Sequence, residues 1–111
     1  MASYRHIEPK SVLGATVTGD VDSTHLDLRT MNKVGVSIKY DAGLTTASFA
    51  VMGSIDGIDY GDFGVSIPDA AASATTLVFG FDTQGVNYFK IAITGVTGSG
   101  RVDIKMSAKG I

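Results

Sequence analysis

The sequence predicts an all-β protein, a single-domain antiparallel β-sandwich that is jelly-roll-like and built from about eight strands. Three observations predict it. Fourteen glycines stand against two prolines among many Val, Ile, Thr and Phe, a mixture suited to strands and tight turns. Apolar and polar residues alternate one by one over several stretches, which places successive side chains on opposite faces of a strand. Turn signals separate those stretches at regular intervals, and apolar spacing of helical period is nowhere sustained. A chain of 111 residues is one domain's worth and buries one modest core.

In chain order, residues 1–10 are expected to form an N-terminal arm and residues 11–111 the sandwich. The segments 12–18 and 24–29 read as short strands, with Leu26 and Leu28 inward. Val34, Val36, Ile38 and Tyr40 share one face, with Gly35, Ser37 and Lys39 on the other. Ala47, Phe49 and Val51 then alternate with Ser48, Ala50 and Met52, and Phe63, Val65 and Ile67 repeat the pattern. The segment 69–74 is too short and too small in side chains for a helix and reads as a loop. Leu77, Phe79 and Phe81 give another strand, as do Phe89, Ile91 and Ile93 and finally Val102, Ile104 and Met106. Turn signals lie at Gly19-Asp20, Asp41-Ala42-Gly43, Asp56-Gly57 and Thr83-Gln84-Gly85, and Val96 to Gly100 reads as a flexible hairpin loop. One polar and one apolar face per strand predicts two antiparallel sheets packed face to face.

Composition narrows the function. The net charge is −2 and no block of Lys or Arg appears, which argues against nucleic-acid binding. Cysteine is absent, so disulfides and thiolate metal sites are excluded. No apolar run approaches the ~20 residues of a membrane-spanning helix, and the N-terminus lacks the apolar stretch of a secretion signal. The chain therefore reads as a complete product of the cytoplasm. Charged residues make up only 18% against 44% hydrophobic, which suggests that a neighbour covers part of the surface.

The search for chemistry yields little. His25 lies near Asp22 and Asp27, a pairing available to a general base, but no nucleophile accompanies it, and His6 lies in the arm. Asp56, Asp59 and Asp62 have a spacing that suits calcium, yet no Glu closes the loop, and Asp56-Gly57 is also an ordinary turn. Gly95, Gly98 and Gly100 sit between strands and open no helix, unlike a phosphate-binding loop. Of the rings Tyr4, Tyr40, Tyr60, Phe63, Tyr88 and Phe89, most fall on inward positions, and Tyr60 and Tyr88 are the candidates for surface contact. No catalytic, cofactor-binding or metal residue is assigned, and the protein is expected not to be an enzyme. In the arm, Tyr4, Arg5, His6 and Ile7 combine ring, charge and aliphatic contact and are candidate interface residues, able to add a strand to a partner's sheet.

One stretch carries a resemblance. Met52-Gly53-Ser54-Ile55-Asp56-Gly57-Ile58-Asp59-Tyr60 is followed by Phe81-Asp82, by Val86-Asn87-Tyr88-Phe89-Lys90-Ile91, by a Thr-Gly-x-x-Gly-x-Gly segment from Thr94 to Gly100, and by a closing strand, 101–109. This resembles small β-sandwich virion proteins of tailed bacteriophages, those that decorate or cement a capsid. The resemblance covers the C-terminal half of the chain. It implies a virion structural protein on the capsid surface, made in the host cytoplasm, whose partner is the major capsid protein. It also implies homo-oligomers, with trimers favoured. A tail or baseplate component is a close variant. The first element is also similar to discoidin-like carbohydrate-binding sandwiches, which would imply adsorption to a host surface, but the tryptophan and cysteines of that fold are missing here.

Overall fold

The computed structural model describes residues 5–71 and 73–110, with the backbone alone for Arg5 and Ala71. The strands are β1 (Arg5–Val17), β2 (Val21–Asp22), β3 (Leu26–Asp27), β4 (Lys33–Tyr40), β5 (Leu44–Ser54), β6 (Gly61–Asp62), β7 (Ala70–Ala71), β8 (Thr75–Asp82), β9 (Tyr88–Gly98) and β10 (Gly100–Gly110). The first sheet runs β1-β10-β4-β8 and the second β2-β9-β5-β6, with all pairs antiparallel. β2 and β3 both pair with β9, and β6 and β7 both pair with β5, so each couple is one interrupted strand. Counted that way, each sheet has four strands among the described residues, in the order 1-8-3-6 over 2-7-4-5. That is the connectivity of a jelly roll.

Alternation builds the core as expected. Val34, Val36, Ile38 and Tyr40 of β4 and Val102, Ile104, Met106 and Ala108 of β10 face Phe49 and Val51 of β5 and Phe89, Ile91 and Ile93 of β9, all buried. Each buried Val, Ile, Met or Phe among them contributes about 1.5–3 kcal/mol relative to an exposed one. Phe81 of β8 and Phe89 of β9 bridge the two sheets at a centroid distance of 5.1 Å, with Phe63 closing the group at 5.3 and 5.0 Å.

Three expectations require correction. From Arg5 onward the supposed free arm is part of β1, in register with β10 from Arg5↔Gly110 to Val17↔Gly100. Pro9 is tolerated there because β1 is an edge strand and a register shift between Ile7 and Lys10 absorbs it. The stretch Phe63–Ile67 turns its apolar side chains toward the core but is not a paired strand. Gly64 has φ +87° and its N–H donates to the Asp62 carboxylate, which breaks the ladder. Finally, Val96 to Gly100 is not a hairpin loop. β9 lies in the second sheet and β10 in the first, so the chain crosses between sheets at Ser99. Gly98 makes the corner possible, since at φ +80° a Cβ would lie 2.7 Å from the Thr45 hydroxyl. Most of the turn signals likewise mark crossings between sheets, and only the step from β5 to β6 stays within one.

Candidate aromatic and basic surface site

The end of the second sheet where β9 begins gathers side chains from four segments. Tyr88 and Lys90 alternate outward on β9 while Phe89 and Ile91 point inward. β3 brings His25 and Asp27 alongside through Asp27↔Tyr88, and the loop after β5 brings Tyr60. The His25 and Tyr60 rings stack at 6.3 Å, and His25 meets Tyr88 edge-on at 5.6 Å. The Lys90 ammonium lies 4.3 Å from the centre of the Tyr60 ring and 2.8 Å from the Asp22 carboxylate. The Arg29 guanidinium lies 5.9 Å from the Tyr88 centroid and grips Asp27 with two parallel bonds, Nε to Oδ1 at 3.0 Å and Nη2 to Oδ2 at 2.7 Å. That grip holds the Asp27 carboxyl below its usual range. Burial pushes the Tyr60 phenol up, against the opposing pull of Lys90, and its hydroxyl is buried with no hydrogen-bond partner.

Beside the rings stands a tightly bonded loop. Asp56 Oδ1 accepts from the Ser54 hydroxyl at 3.0 Å and from the N–H groups of Ile58 and Asp59 at 2.9 and 3.0 Å. These donors hold the Asp56 carboxyl below its ordinary value, the backbone N–H groups having the largest effect. Ser54 Oγ accepts from the Gly57 N–H, and the Asn87 side-chain amide donates to the Ile55 carbonyl. Gly57, at φ +78°, lies flat against the Tyr88 ring, where a Cβ would touch it. The loop therefore presents two large apolar side chains on a stiff frame, Ile55 at 65% exposure and Ile58 at 80%.

The structure sorts the residues singled out in the sequence. It brings Tyr60 and Tyr88 together around His25. Tyr4 lies outside the described residues, as does the side chain of Arg5. His6 is exposed on β1, 3.3 Å from Glu8. Ile7 is half-buried and packs against the core, because β1 is paired and turns it inward. His6 and Ile7 belong to the first sheet and the tyrosines to the second, so they do not compose one surface. Asp56, Asp59 and Asp62 do not converge. Asp56 and Asp62 spend carboxylate oxygens on backbone N–H groups, and no group of three metal-ligating side chains forms among the described residues. Sequence reasoning missed Arg29, Lys90, Ile55 and Ile58. The last two carried a signal, being isoleucines within a Ser-x-Asp-Gly turn where polar residues are usual. An open depression of about 440 Å³ lies beside Asp27, Arg29 and Thr30.

Neither a protein-family model nor a curated protein matches the chain. Among solved structures, the fold is shared with the crystal structure of SPBc2 prophage-derived protein YomS. The TM-score is 0.66, and the match covers 99% of this chain and 97% of that one at 11% identity. The likeness extends over nearly the whole length of both chains and shows a shared fold.

Proposed function

We propose that this protein is a non-enzymatic structural component of a phage virion, a capsid decoration or cement protein that binds the shell of major capsid protein. The observation that carries the reading is the stiff loop with Ile55 and Ile58 exposed beside the Tyr60–His25–Tyr88 rings. A loop whose backbone is held in place by hydrogen bonds loses little backbone entropy on docking, and aromatic and Arg anchors concentrate binding energy. The end-to-end fold likeness to a prophage-derived protein supports the phage setting. Repetition over many shell subunits multiplies a modest single contact.

The test is co-sedimentation with purified shells together with mass spectrometry of particles. Wild type is expected on particles in many copies. Ile58→Asp forfeits roughly 1.5–3 kcal/mol of apolar burial, about ten- to a hundredfold in affinity, with an unchanged melting temperature. Absence of the protein from particles ends the idea, and a low copy number moves it to the tail or baseplate. A second reading, glycan binding at a host surface, draws on the same two tyrosines. Lys90 over Tyr60 and Arg29 over Tyr88 already occupy ring faces that a sugar would need, so a protein partner fits better. A glycan array distinguishes the two.

A further inference from the structure

The two edges of the first sheet are unlike. β1 carries Pro9 and two register shifts, devices that spoil strand addition. β8 (Thr75–Asp82) carries no proline, no lysine and no bulge, and its register with β4 is unbroken from Lys33↔Asp82 to Tyr40↔Thr75. Just past it, the Thr83 N–H donates to the Asn32 carbonyl at 2.8 Å. Antiparallel ladders alternate, so the odd-numbered residues of β8 bond to β4. Thr76, Val78, Gly80 and Asp82 then turn their N–H and C=O groups to the free edge, and among the described residues nothing meets them. Their side chains are also the exposed ones, with Val78 at 77%.

We propose that β8 pairs with β8 of a second copy about a two-fold axis at Phe79, joining two four-stranded sheets into one of eight. In that register Val78 of each copy faces Gly80 of the other, and Thr76 faces Asp82. Gly80 continues across the sheet as Gly35 and Ser107, a row with no side chain larger than a hydroxymethyl. An open groove of about 350 Å³ lies beside that row, lined by Pro9, Gly35, Ser37, Lys105, Ser107 and the chain's own Val78, and the incoming Val78 meets the row at Gly80, where no side chain blocks it. The neighbouring row runs Asp103, Lys39, Thr76 and then Asp82, Lys33 and Lys109 of the second copy, so opposite charges, Lys39 of one copy and Asp82 of the other, flank Thr76 at the joint. Lys33 already holds its own Asp82 at 3.0 Å, so the one charged side chain of β8 is paired within its own copy. The edge is thus complementary to itself in backbone, shape and charge. A trimeric ring would need β8 to meet a different edge, and β1 is the blunted one. The inference does not depend on the capsid reading, since it is tested on the isolated protein.

The test is light scattering and sedimentation equilibrium of the full chain. Wild type is expected as a dimer of 23 kDa, twice the 11.5 kDa chain. Val78→Pro removes only an outward N–H, so the β4 ladder is kept while pairing is lost. Val78→Lys places a charge over the two-fold joint without altering the backbone and carries the test if the proline variant fails to fold. Both are expected to raise the dimer dissociation constant at least about tenfold, a 1.4 kcal/mol loss. A wild type that stays monomeric through the millimolar range overturns the proposal, and so does an oligomer of any order that folded Val78→Lys leaves intact.

Discussion

Replacing Phe89 by alanine is expected to cost this domain a large part of its stability. The ring, on β9 of the second sheet, is fully buried and meets Phe81 of the first sheet at 5.1 Å and Phe63, in the segment after β6, at 5.0 Å, the latter edge-to-face at 85°. Truncating a buried Phe removes its transfer energy and leaves a cavity, together about 3–5 kcal/mol. The aromatic geometry adds ~0.5–1.5 kcal/mol per pair beyond burial. Rigid strands close the site on both sides, so collapse around the void is limited and the upper half of the range, about 4–5 kcal/mol, is the expected value. Against a whole-domain stability of roughly 5–15 kcal/mol, this variant is marginal at room temperature. Urea unfolding followed by circular dichroism measures the difference. Phe89→Leu keeps most of the volume, should cost under half as much, and shows what the ring shape adds. A double-mutant cycle with Phe81→Leu isolates the pair, with a coupling of about 0.5–1.5 kcal/mol. A loss below about 1.5 kcal/mol for Phe89→Ala, with no coupling to Phe81, would refute the claim that this trio ties the sheets together.

Three further outcomes follow from particular bonds. Ser23 lies at the break between β2 and β3, where its hydroxyl oxygen accepts the N–H of buried Ile91 at 2.9 Å. Ser23→Ala leaves that donor unmet and should cost about 1–3 kcal/mol in chemical denaturation, while Ser23→Thr should recover most of it. Asp56 is held below its ordinary value of 3.8, so its carboxylate stabilises the fold fully above that value and progressively less as pH falls through its lower folded value. Asp56→Asn retains an acceptor for the Ile58 and Asp59 N–H groups and should keep the loop while flattening this acid limb, as read from amide chemical shifts between pH 2 and 5. Gly98→Ala places a Cβ against the Gly43 carbonyl at φ +80° and should lower stability by more than about 1 kcal/mol in thermal unfolding, whereas Gly19→Ala, with open space around it, should not.

The sequence by itself determined which residues face inward. In Val34 to Tyr40, Phe89 to Ile93 and Val102 to Met106, strict alternation leaves one solution, because a shift of one residue would expose every apolar side chain. The two-sheet sandwich and a count near eight followed from the same pattern. Even where pairing failed, at Phe63, Val65 and Ile67, the inward direction was legible although the ladder was not.

The tertiary structure alone decided connectivity and the site. Asp41 to Gly43 and Val96 to Gly100 have the residues of hairpin turns, yet both carry the chain between sheets. Local turn chemistry fixes a change of direction, and only packing of the two layers fixes whether the next strand lies alongside or across. Pro9 obscures the strand character of Arg5 to Lys10, since proline in a sheet is confined to edges, strand starts and bulges, and only the tertiary structure shows that β1 is such an edge. His25, Tyr60 and Tyr88 are far apart in sequence and meet because β3, β9 and the loop after β5 end at the same place. The open edge of β8 was equally invisible, since whether a strand is central or terminal depends on which partners the rest of the chain supplies, a property no single stretch of sequence encodes.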